Sequence, residues 1–452
     1  MRWTPLALLA AAQFMLILDV TVINVALPSI GHDLHLDRET LTWAVTAYTL
    51  CFGGLMLLGG RLGDAIGGRR TLLAGLALFT AASLVTGLAG NAAVLIGGRV
   101  AQGVGAALLS PTALATVTRT FHGAERNRAL GVWAALGGAG FAVGAVLGGA
   151  LTSGPGWRWV FFINVPVGLA LLALLPRVVA TAPGTGRRVD LPGAVLATGG
   201  TAALIFGLVK AGDAGWGSPW TLVGLLVAAV AYSAFAWVER TIGEPLMDPR
   251  VLARRPVATG AFLMLASTAL MLGLVFLGSF YLQQVGGLSA IAVGALFLPV
   301  AAATAVGGHL AGRAIGRRGA RPVAVAGLTA AALGAFILTQ VDGTVWIVIG
   351  LAIAVAGIVP AFVAATTSAL GFIAPSEAGL AAGIVNTFHE VGGAVGIALA
   401  STLAASGLVS GTASGFSGAY AILAIVALAA AGAAAVLVPK GVAHLPEGVA
   451  VH

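Results

Sequence analysis

Charged side chains are scarce in this chain of 452 residues. Asp, Glu, Lys and Arg make up 8% of it, whereas apolar residues make up 59%. A soluble domain carries roughly a quarter charged residues. A surface that faces water cannot be built from so few charges, so the composition excludes a soluble globular protein and indicates an integral membrane protein.

Cysteine and the common motifs of enzymes and pumps are also nearly missing. Cys51 is the single cysteine, which excludes an intrachain disulfide and a cysteine metal site. The sequence has no metal-ligand cluster, no nucleophile motif and no Gly-Lys phosphate-binding loop. We therefore predict that the protein is not an enzyme, that it uses no metal or cofactor, and that ATP does not drive it.

The excess of basic over acidic side chains gives a net charge of +8. The basic residues lie in short stretches between apolar runs, as membrane orientation requires, and not in one patch. This distribution argues against a nucleic-acid partner. We expect the partners to be the lipid bilayer, protons and a small amphipathic substrate, with the protein acting as a monomer.

Long apolar runs dominate what is present. A helix needs about 20 apolar residues to cross a bilayer, and the 66 glycines suit tightly packed transmembrane helices. We predict an all-α integral membrane protein with fourteen spans. They cover residues 5–30, 40–60, 71–90, 93–117, 128–152, 158–177, 190–209, 217–238, 257–284, 289–311, 322–340, 344–372, 378–404 and 417–438.

The basic residues set the orientation of these spans. Nineteen of the 23 Lys and Arg fall in one set of loops and the two ends, and three fall in the opposite loops. This bias places both termini in the cytoplasm. With 21 Arg against 2 Lys, the composition hints at a GC-rich bacterial source, and we expect a multi-pass protein of the bacterial cytoplasmic membrane.

An internal repeat divides the chain. Seven residues between 125 and 144 recur at a constant offset of 252, and Gly60-Arg61-Leu62 is matched by Gly308-His309-Leu310 at an offset of 248. We predict a six-helix half over 1–180, two inserted helices over 181–238, a cytoplasmic linker over 239–256 and a second six-helix half over 257–452. Parallel halves place a substrate site near the midplane.

Several motifs resemble those of the major facilitator superfamily and of its fourteen-span drug:proton antiporter family. Residues 60–70 read GRLGDAIGGRR, similar to the superfamily's loop signature; residues 18–28 read LDVTVINVALP, and residues 99–105 read RVAQGVG. Residues 157–166, WRWVFFINVP, and 281–284, YLQQ, also look like this family. The resemblance covers almost the whole chain and implies the major facilitator fold and drug efflux.

The resemblance also implies roles for glycines and for the loop. The antiporter glycine motif is matched by Gly131, Gly140, Gly144, Gly148 and Gly149. Ala145 stands where the family has a proline, which leaves a proline-driven kink in doubt. The conformational gating loop is matched by Gly60, Asp64, Gly67, Arg69 and Arg70, where Asp64 can pair with an arginine or a helix N-terminus in one conformation.

Away from the first and last residues of the predicted spans, three charged residues fall inside them: Asp19, Arg99 and Glu390. A charge at membrane depth costs several kcal/mol, so such residues commonly line an ion or substrate pathway. Asp19 and Glu390 lie roughly 16–18 Å from the nearer span end, close to the midplane. We assign proton coupling to these three residues. Two alternatives stay open: a structural Asp19–Arg99 pair, and a structural hydrogen bond of Glu390.

Polar and aromatic residues at similar depth are candidates for the walls of a substrate cavity. They are Gln13, Asn24, Trp43, Tyr48, Gln102, Trp133, Phe141, Tyr281, Gln284, Asn386 and Phe388. The leading function is proton-coupled export of amphipathic, cationic drugs or antibiotics. A dedicated exporter of one endogenous metabolite or antibiotic is an alternative, and a non-transporting membrane sensor or scaffold is an alternative of another class.

Overall fold

A computed structural model describes residues 3–36, 38–181, 184–186, 190–242, 245, 247, 250–340, 343–371, 378–405 and 413–439. Across these ranges the chain is helical with short connections and contains no strand. The predicted all-α class is confirmed.

The helices follow one another along the chain with tight connections. They are α1 Thr4–Leu34, α2 Arg38–Ile66, α3 Gly68–Gly87, α4 Ala92–Thr120, α5 Gly123–Ser153, α6 Trp159–Phe162, α7 Asn164–Val178, α8 Leu191–Ala214, α9 Pro219–Thr241, α10 Arg250–Ala253, α11 Arg255–Gln284, α12 Ala290–Arg318, α13 Ala320–Gln340, α14 Thr344–Gly371, α15 Ala378–Leu403 and α16 Ala413–Leu437.

Each predicted span coincides with a helix, or for 158–177 with the α6–α7 pair. Of the described helices, twelve are long and apolar enough to cross a membrane; α5 and α15 are not among them. The predicted number of fourteen membrane-crossing helices is therefore not confirmed.

The predicted gating loop is mostly helical, which corrects our expectation of a turn over residues 60–70. Helix α2 continues to Ile66 and α3 begins at Gly68, so the chain reverses at Gly67 alone. Gly67 has φ +105°, a conformation that a side chain disfavours. Asp64 therefore lies in the last turn of α2.

The long helices form two groups with an inserted pair. Within the first group, α1 packs against α5 and α7, and α4 packs against α2 and α3. Within the second group, α11 packs against α14 and α15, and α13 packs against α14 and α16. The groups meet mainly where α5 packs on α12 and α2 packs on α15, while α8 contacts both α2 and α15. We call these α5–α12 and α2–α15 contacts the group interface.

The glycines of α5 and α15 make equivalent close contacts in the two groups. A methyl group added to Gly144 would lie 2.6 Å from Cβ of Thr21 on α1. One added to Gly396 would lie 2.2 Å from the backbone oxygen of Ala269 on α11. Gly396 and Ala269 are the repeat mates of Gly144 and Thr21, so the sequence repeat corresponds to a repeated helix packing that only glycine permits.

Candidate functional site

A buried polar cluster surrounds Asp19 inside the first helix group. Nη1 of Arg99 lies 2.5 Å from Oδ2 of Asp19. The amides of Gln102 and Asn164 donate to Oδ1 at 3.0 and 2.9 Å. Asp19 is 1% exposed and Arg99 is fully buried. Buried charges persist only when they are paired and hydrogen-bonded, and this cluster supplies both conditions.

Arg99 is held from several sides. Its Nε donates to the backbone oxygen of Ala44 at 3.0 Å, and its Nη1 also donates to Oε1 of Gln102 at 2.9 Å. Its guanidinium carbon lies 4.2 Å above the ring centroid of Tyr48, a cation–π contact. One guanidinium thus joins α1, α2 and α4. The structure brings Asp19 and Arg99 together as an ion pair. Such a pair is compatible with a role in proton coupling and with a purely structural role.

Two members of the cluster were missed by the sequence analysis. Ser83 of α3 accepts a hydrogen bond from Nε2 of Gln102 at 2.8 Å, and Asn164 opens α7. Both side chains are buried. Asn164 lies in the WRWVFFINVP stretch that we quoted without giving it a role; a polar amide between apolar neighbours was the available signal. Ser83 gave no such signal in the sequence, because a serine in a helix commonly donates to the backbone of the preceding turn, as Ser83 also does to Phe79.

Arg99 does not depend on the carboxylate of Asp19 alone. The backbone oxygen of Ala44 and Oε1 of Gln102 are further acceptors for its guanidinium.

Glu390 lies on α15 at the group interface. A methyl group added to Gly53 of α2 would lie 3.2 Å from Cβ of Glu390 and 2.5 Å from Cδ1 of Ile205 on α8. Glu390 is half-buried and lies against α2, the helix that also carries Tyr48, the ring beneath Arg99. The neighbouring His389 points elsewhere, with Nδ1 3.0 Å from Oγ1 of Thr268 on α11.

Three of the proposed cavity residues are buried against other side chains. Tyr48 and Gln102 belong to the Asp19 cluster, and Tyr281 packs edge-on against Phe416 with a centroid distance of 5.6 Å. Their place in a cavity wall stays a prediction.

The other proposed wall residues are dispersed. Trp43 is exposed and stacks on Phe206 of α8, and Gln284 is exposed at the end of α11. Asn386 donates to Oγ of Ser110 at 3.3 Å and so bridges α15 and α4. Half-buried positions are taken by Gln13, Trp133 and Phe388. The side chains of Asn24 and Phe141 lie outside what the structure describes.

Asp64 forms a second buried site, where α2 meets the start of α15. Its carboxylate lies 2.5 Å from Nη2 of Arg119 and accepts from the backbone N–H groups of Gly379 and Leu380 at 2.9 and 2.7 Å. The first turn of a helix offers such N–H groups and favours negative charge. Asp64 therefore links α2 and α4 of the first group to α15 of the second.

Backbone contacts close the same end of the bundle. A methyl group added to Gly60 would lie 2.1 Å from the oxygen of Gly379, and one added to Gly131 would lie 2.3 Å from the oxygen of Gly308. The repeat mate of Asp64 is Gly312, which packs on the backbone of Asn127 without any carboxylate. The two crossings are thus alike in backbone packing. Among the described residues, a carboxylate bonded across the crossing is found at α2–α15 and not at α5–α12.

The other gating residues lie beside Asp64. Arg69 donates to Oγ1 of Thr181 at 2.7 Å, and Arg70 is exposed. The arginine that pairs with Asp64 is Arg119 of α4.

A further ionic contact lies at the C-terminal end of α1. Oδ2 of Asp33 accepts from Nη1 of Arg158 at 2.7 Å and from Nε1 of Trp157 at 3.0 Å. These hydrogen bonds, that of Arg158 first, lower the pKa of the Asp33 carboxyl. The contact ties α1 to the connection between α5 and α6.

Within the described part of the chain, no group of three or more His, Cys, Asp or Glu is placed to hold a metal ion. Asp19, Asp33 and Asp64 instead form ion pairs with arginines, and Asp64 also binds the N-terminus of α15.

Comparisons with known proteins agree on one family. A family model described as Major Facilitator Superfamily matches residues 9–397. The puromycin resistance protein pur8 of Streptomyces alboniger is 41% identical over 89% of this chain and 82% of its own length. The cephamycin export protein CmcT of Amycolatopsis lactamdurans is 39% identical over 93% and 87%.

Solved structures show the same fold at low identity. The human organic anion transporter MFSD10 superposes with a TM-score of 0.68 at 15% identity, covering 95% of this chain and 98% of that one. The proton:xylose symporter XylE gives a TM-score of 0.65 at 15% identity, with coverage of 97% and 96%.

Proposed function

The chain belongs to the major facilitator superfamily, and from this premise we propose that it exports amphipathic, cationic drugs or antibiotics in exchange for protons by alternating access. The names of its relatives support export, since they include puromycin resistance, cephamycin export, and tetracenomycin C resistance and export proteins. The observation that carries the proton coupling is the buried Asp19–Arg99 pair.

The proposed topology has fourteen spans with both termini in the cytoplasm. Helices α5 and α15 have 31 and 26 residues, and a crossing needs about 20. Each packs against a helix that qualifies as a membrane span: α5 on α12, and α15 on α11. The sequence bias of basic residues supports the orientation. In this topology the Asp64 site lies at the cytoplasmic face.

The two helix groups are then the two halves that rock against each other, over residues 1–180 and 257–452. The contacts at Asp64, Gly60 and Gly131 close their cytoplasmic ends, so this state excludes the cytoplasm from the space between the halves. Opening toward the cytoplasm requires that Asp64 leave the N-terminus of α15. Asp64, with Gly60, Gly67, Arg69 and Arg70 around it, is proposed to set the balance between the two conformations.

Asp19 is proposed as the coupling carboxylate. In the ion-paired form it holds Arg99 and, through this residue, Tyr48 and α2. Protonation loosens that hold, and the halves can then rearrange with the uncharged form. Release of the proton on the cytoplasmic side re-forms the pair and resets the cycle.

Glu390 is proposed to favour cationic substrates. It comes from the second half and lies against α2, the helix whose Tyr48 stacks on Arg99. Like charges in one low-dielectric region resist simultaneous ionisation. A bound cation would stabilise the ionised carboxylates and so displace a proton, which yields exchange by competition.

Transport in proteoliposomes tests the proposal. Purified protein would be reconstituted with an imposed pH gradient, and puromycin, lincomycin and a cationic dye would be followed across the membrane. Gradient-dependent movement of several compounds supports multidrug:proton exchange. Movement of one compound alone favours the dedicated exporter, and no movement of any compound under any gradient favours the sensor or scaffold.

A further inference from the structure

The inserted helices α8 and α9 lie over the contact between α2 and α15, where the two halves meet. Helix α8 packs against both of these helices, and α9 packs on α8. Ala194 of α8 and Phe235 of α9 share one apolar cluster with Leu380, the residue of α15 whose N–H binds Asp64. The pair therefore touches both sides of the interface that has to open.

The outer end of α8 is bonded to the second half. Oγ of Ser401 on α15 donates to the backbone oxygen of Gly212 at 3.1 Å. Nε1 of Trp216, just beyond α8, donates to Oγ1 of Thr402 at 3.0 Å. Relative motion of α8 and α15 at this end has to break both bonds.

The connection that leads into α8 is bonded to the first half, at the gating turn. The N–H of Thr185 donates to the backbone oxygen of Asp64 at 2.9 Å, and the N–H of Gly186 donates to that of Ala65 at 3.1 Å. Gly184 sits so close that an added methyl group would lie 2.1 Å from the oxygen of Ala65. The backbone of Asp64 is thus held by this connection while its side chain holds α15.

The connection that leaves α9 returns to the same helix end. Nη2 of Arg61 on α2 donates to the backbone oxygen of Pro245 at 3.2 Å. The N–H of Met247 donates to Oε2 of Glu239 on α9 at 3.0 Å. Both connections that flank the inserted pair therefore attach to the last turns of α2.

We propose that the α8–α9 pair is a clamp across the interface of the halves. It favours the state closed toward the cytoplasm, and its inner attachment at residues 184–186 loosens when that side opens. The proposal rests on the proposed alternating access. It assigns the inserted pair a conformational role, because its outer end is bonded to α15 and its inner end to the turn that carries Asp64.

Gly184→Ala is the variant that addresses the inner attachment. The new methyl group cannot fit against Ala65, so the connection has to move away and two backbone hydrogen bonds are weakened. One net hydrogen bond corresponds to about a fivefold change in an equilibrium constant. We expect the ratio of cytoplasm-open to cytoplasm-closed protein to rise about 5- to 25-fold. Gly217→Ala is the matched control, since Gly217 lies in the loop after α8 with nothing within 4 Å of an added methyl group.

The measurement is a spin-label distance distribution on the full-length protein in lipid nanodiscs. Labels at Thr120→Cys on α4 and Arg318→Cys on α12, both exposed, report the cytoplasmic separation of the halves in a Cys51→Ser background. Thr402→Val, which removes the acceptor of Trp216, and Thr181→Val, which removes that of Arg69, are expected to shift the ratio about fivefold in the same direction.

The outcomes separate the clamp from the transport cycle. A wild-type protein that exchanges between two distances, with variants within twofold of Gly217→Ala, overturns the clamp and leaves alternating access standing. A wild-type protein with one distance at every pH and substrate concentration overturns alternating access itself. If Gly184→Ala does not yield folded protein, the two valine variants decide, and unchanged ratios in both overturn the clamp.

Discussion

Replacing Asp64 by Asn tests the carboxylate contact between α2 and α15. The substitution keeps the size of the side chain and removes its charge. In the native protein the carboxylate accepts hydrogen bonds from Arg119, Gly379 and Leu380, and its side chain is 1% exposed. Asparagine offers one acceptor oxygen and places an N–H₂ group where the second oxygen was, so at least one donor loses its acceptor.

The size of the effect follows from the bonds that are lost. A hydrogen bond to a charged group contributes about 1.5–3 kcal/mol. The substitution should remove one or two of these three hydrogen bonds and leave a neutral one in place. The cytoplasm-closed state should therefore be destabilised by about 3 kcal/mol relative to the cytoplasm-open state. Since 1.36 kcal/mol is a factor of ten, the ratio of cytoplasm-open to cytoplasm-closed protein should rise about 100-fold.

The assay is the distance distribution between labels at residues 120 and 318, with substrate binding measured on the same sample. Asp64 is distant from the Asp19 cluster along α2, so the dissociation constant should change less than threefold while transport slows. Arg119→Gln should give a smaller shift in the same direction, and the double variant should shift less than the sum of the two. An unchanged distance ratio, or a large loss of affinity with normal exchange, would refute the reasoning.

The remaining predictions concern the second crossing, the second carboxylate and the outer end of α1. Gly131→Ala should also open the cytoplasmic side, because its methyl group would meet the oxygen of Gly308 at 2.3 Å; equal cysteine accessibility of the cytoplasmic ends in variant and wild type would contradict this. Glu390→Gln should weaken export of cations more than export of neutral compounds and reduce the proton release on adding a cation to detergent-solubilised protein; equal losses for both classes would make Glu390 structural. Because hydrogen bonds from Arg158 and Trp157 lower the pKa of Asp33, its stabilising contribution is fully present above the unfolded value of about 4 and declines as pH falls from there through the lowered folded value. The difference in melting temperature between wild type and Asp33→Asn should therefore be constant from pH 5 to 8 and decrease below about pH 4, and a difference that is unchanged at pH 3 would contradict the assignment.

The positions of the helices could be predicted from the sequence because membrane spans are local patterns of about 20 apolar residues. The predicted ends were least accurate where a helix continues past the apolar run with charged side chains. Helix α2 carries Arg61 and Asp64 in its last turns, and α12 extends to Arg318. The apolar pattern of a membrane helix ends at the membrane surface. The helical backbone hydrogen bonds of α2 and α12 continue beyond it, through residues with charged side chains.

The partners inside the candidate site were only partly predictable. Asp19 and Arg99 stand out because a charge among apolar residues is visible in any single sequence. Asn164 and Ser83 do not stand out in this way, and their place in the cluster depends on how α3 and α7 pack. For Asp64 the sequence predicts the type of partner, an arginine or a helix N-terminus. In the structure Asp64 binds both Arg119 and the start of α15.

The central claim is that Asp19 couples proton movement to export, and one measurement addresses it directly. Wild-type, Asp19→Asn and Asp213→Asn proteins would be reconstituted at equal density, and substrate accumulation would be recorded with and without an imposed pH gradient. Asp213 is an exposed acid of α8 and serves as the matched control. We expect the gradient to drive accumulation in the wild type and in Asp213→Asn, whereas Asp19→Asn should bind substrate but show no gradient-driven accumulation. Gradient-driven accumulation at the wild-type level in Asp19→Asn would contradict proton coupling by Asp19 and move this role away from the Asp19–Arg99 pair.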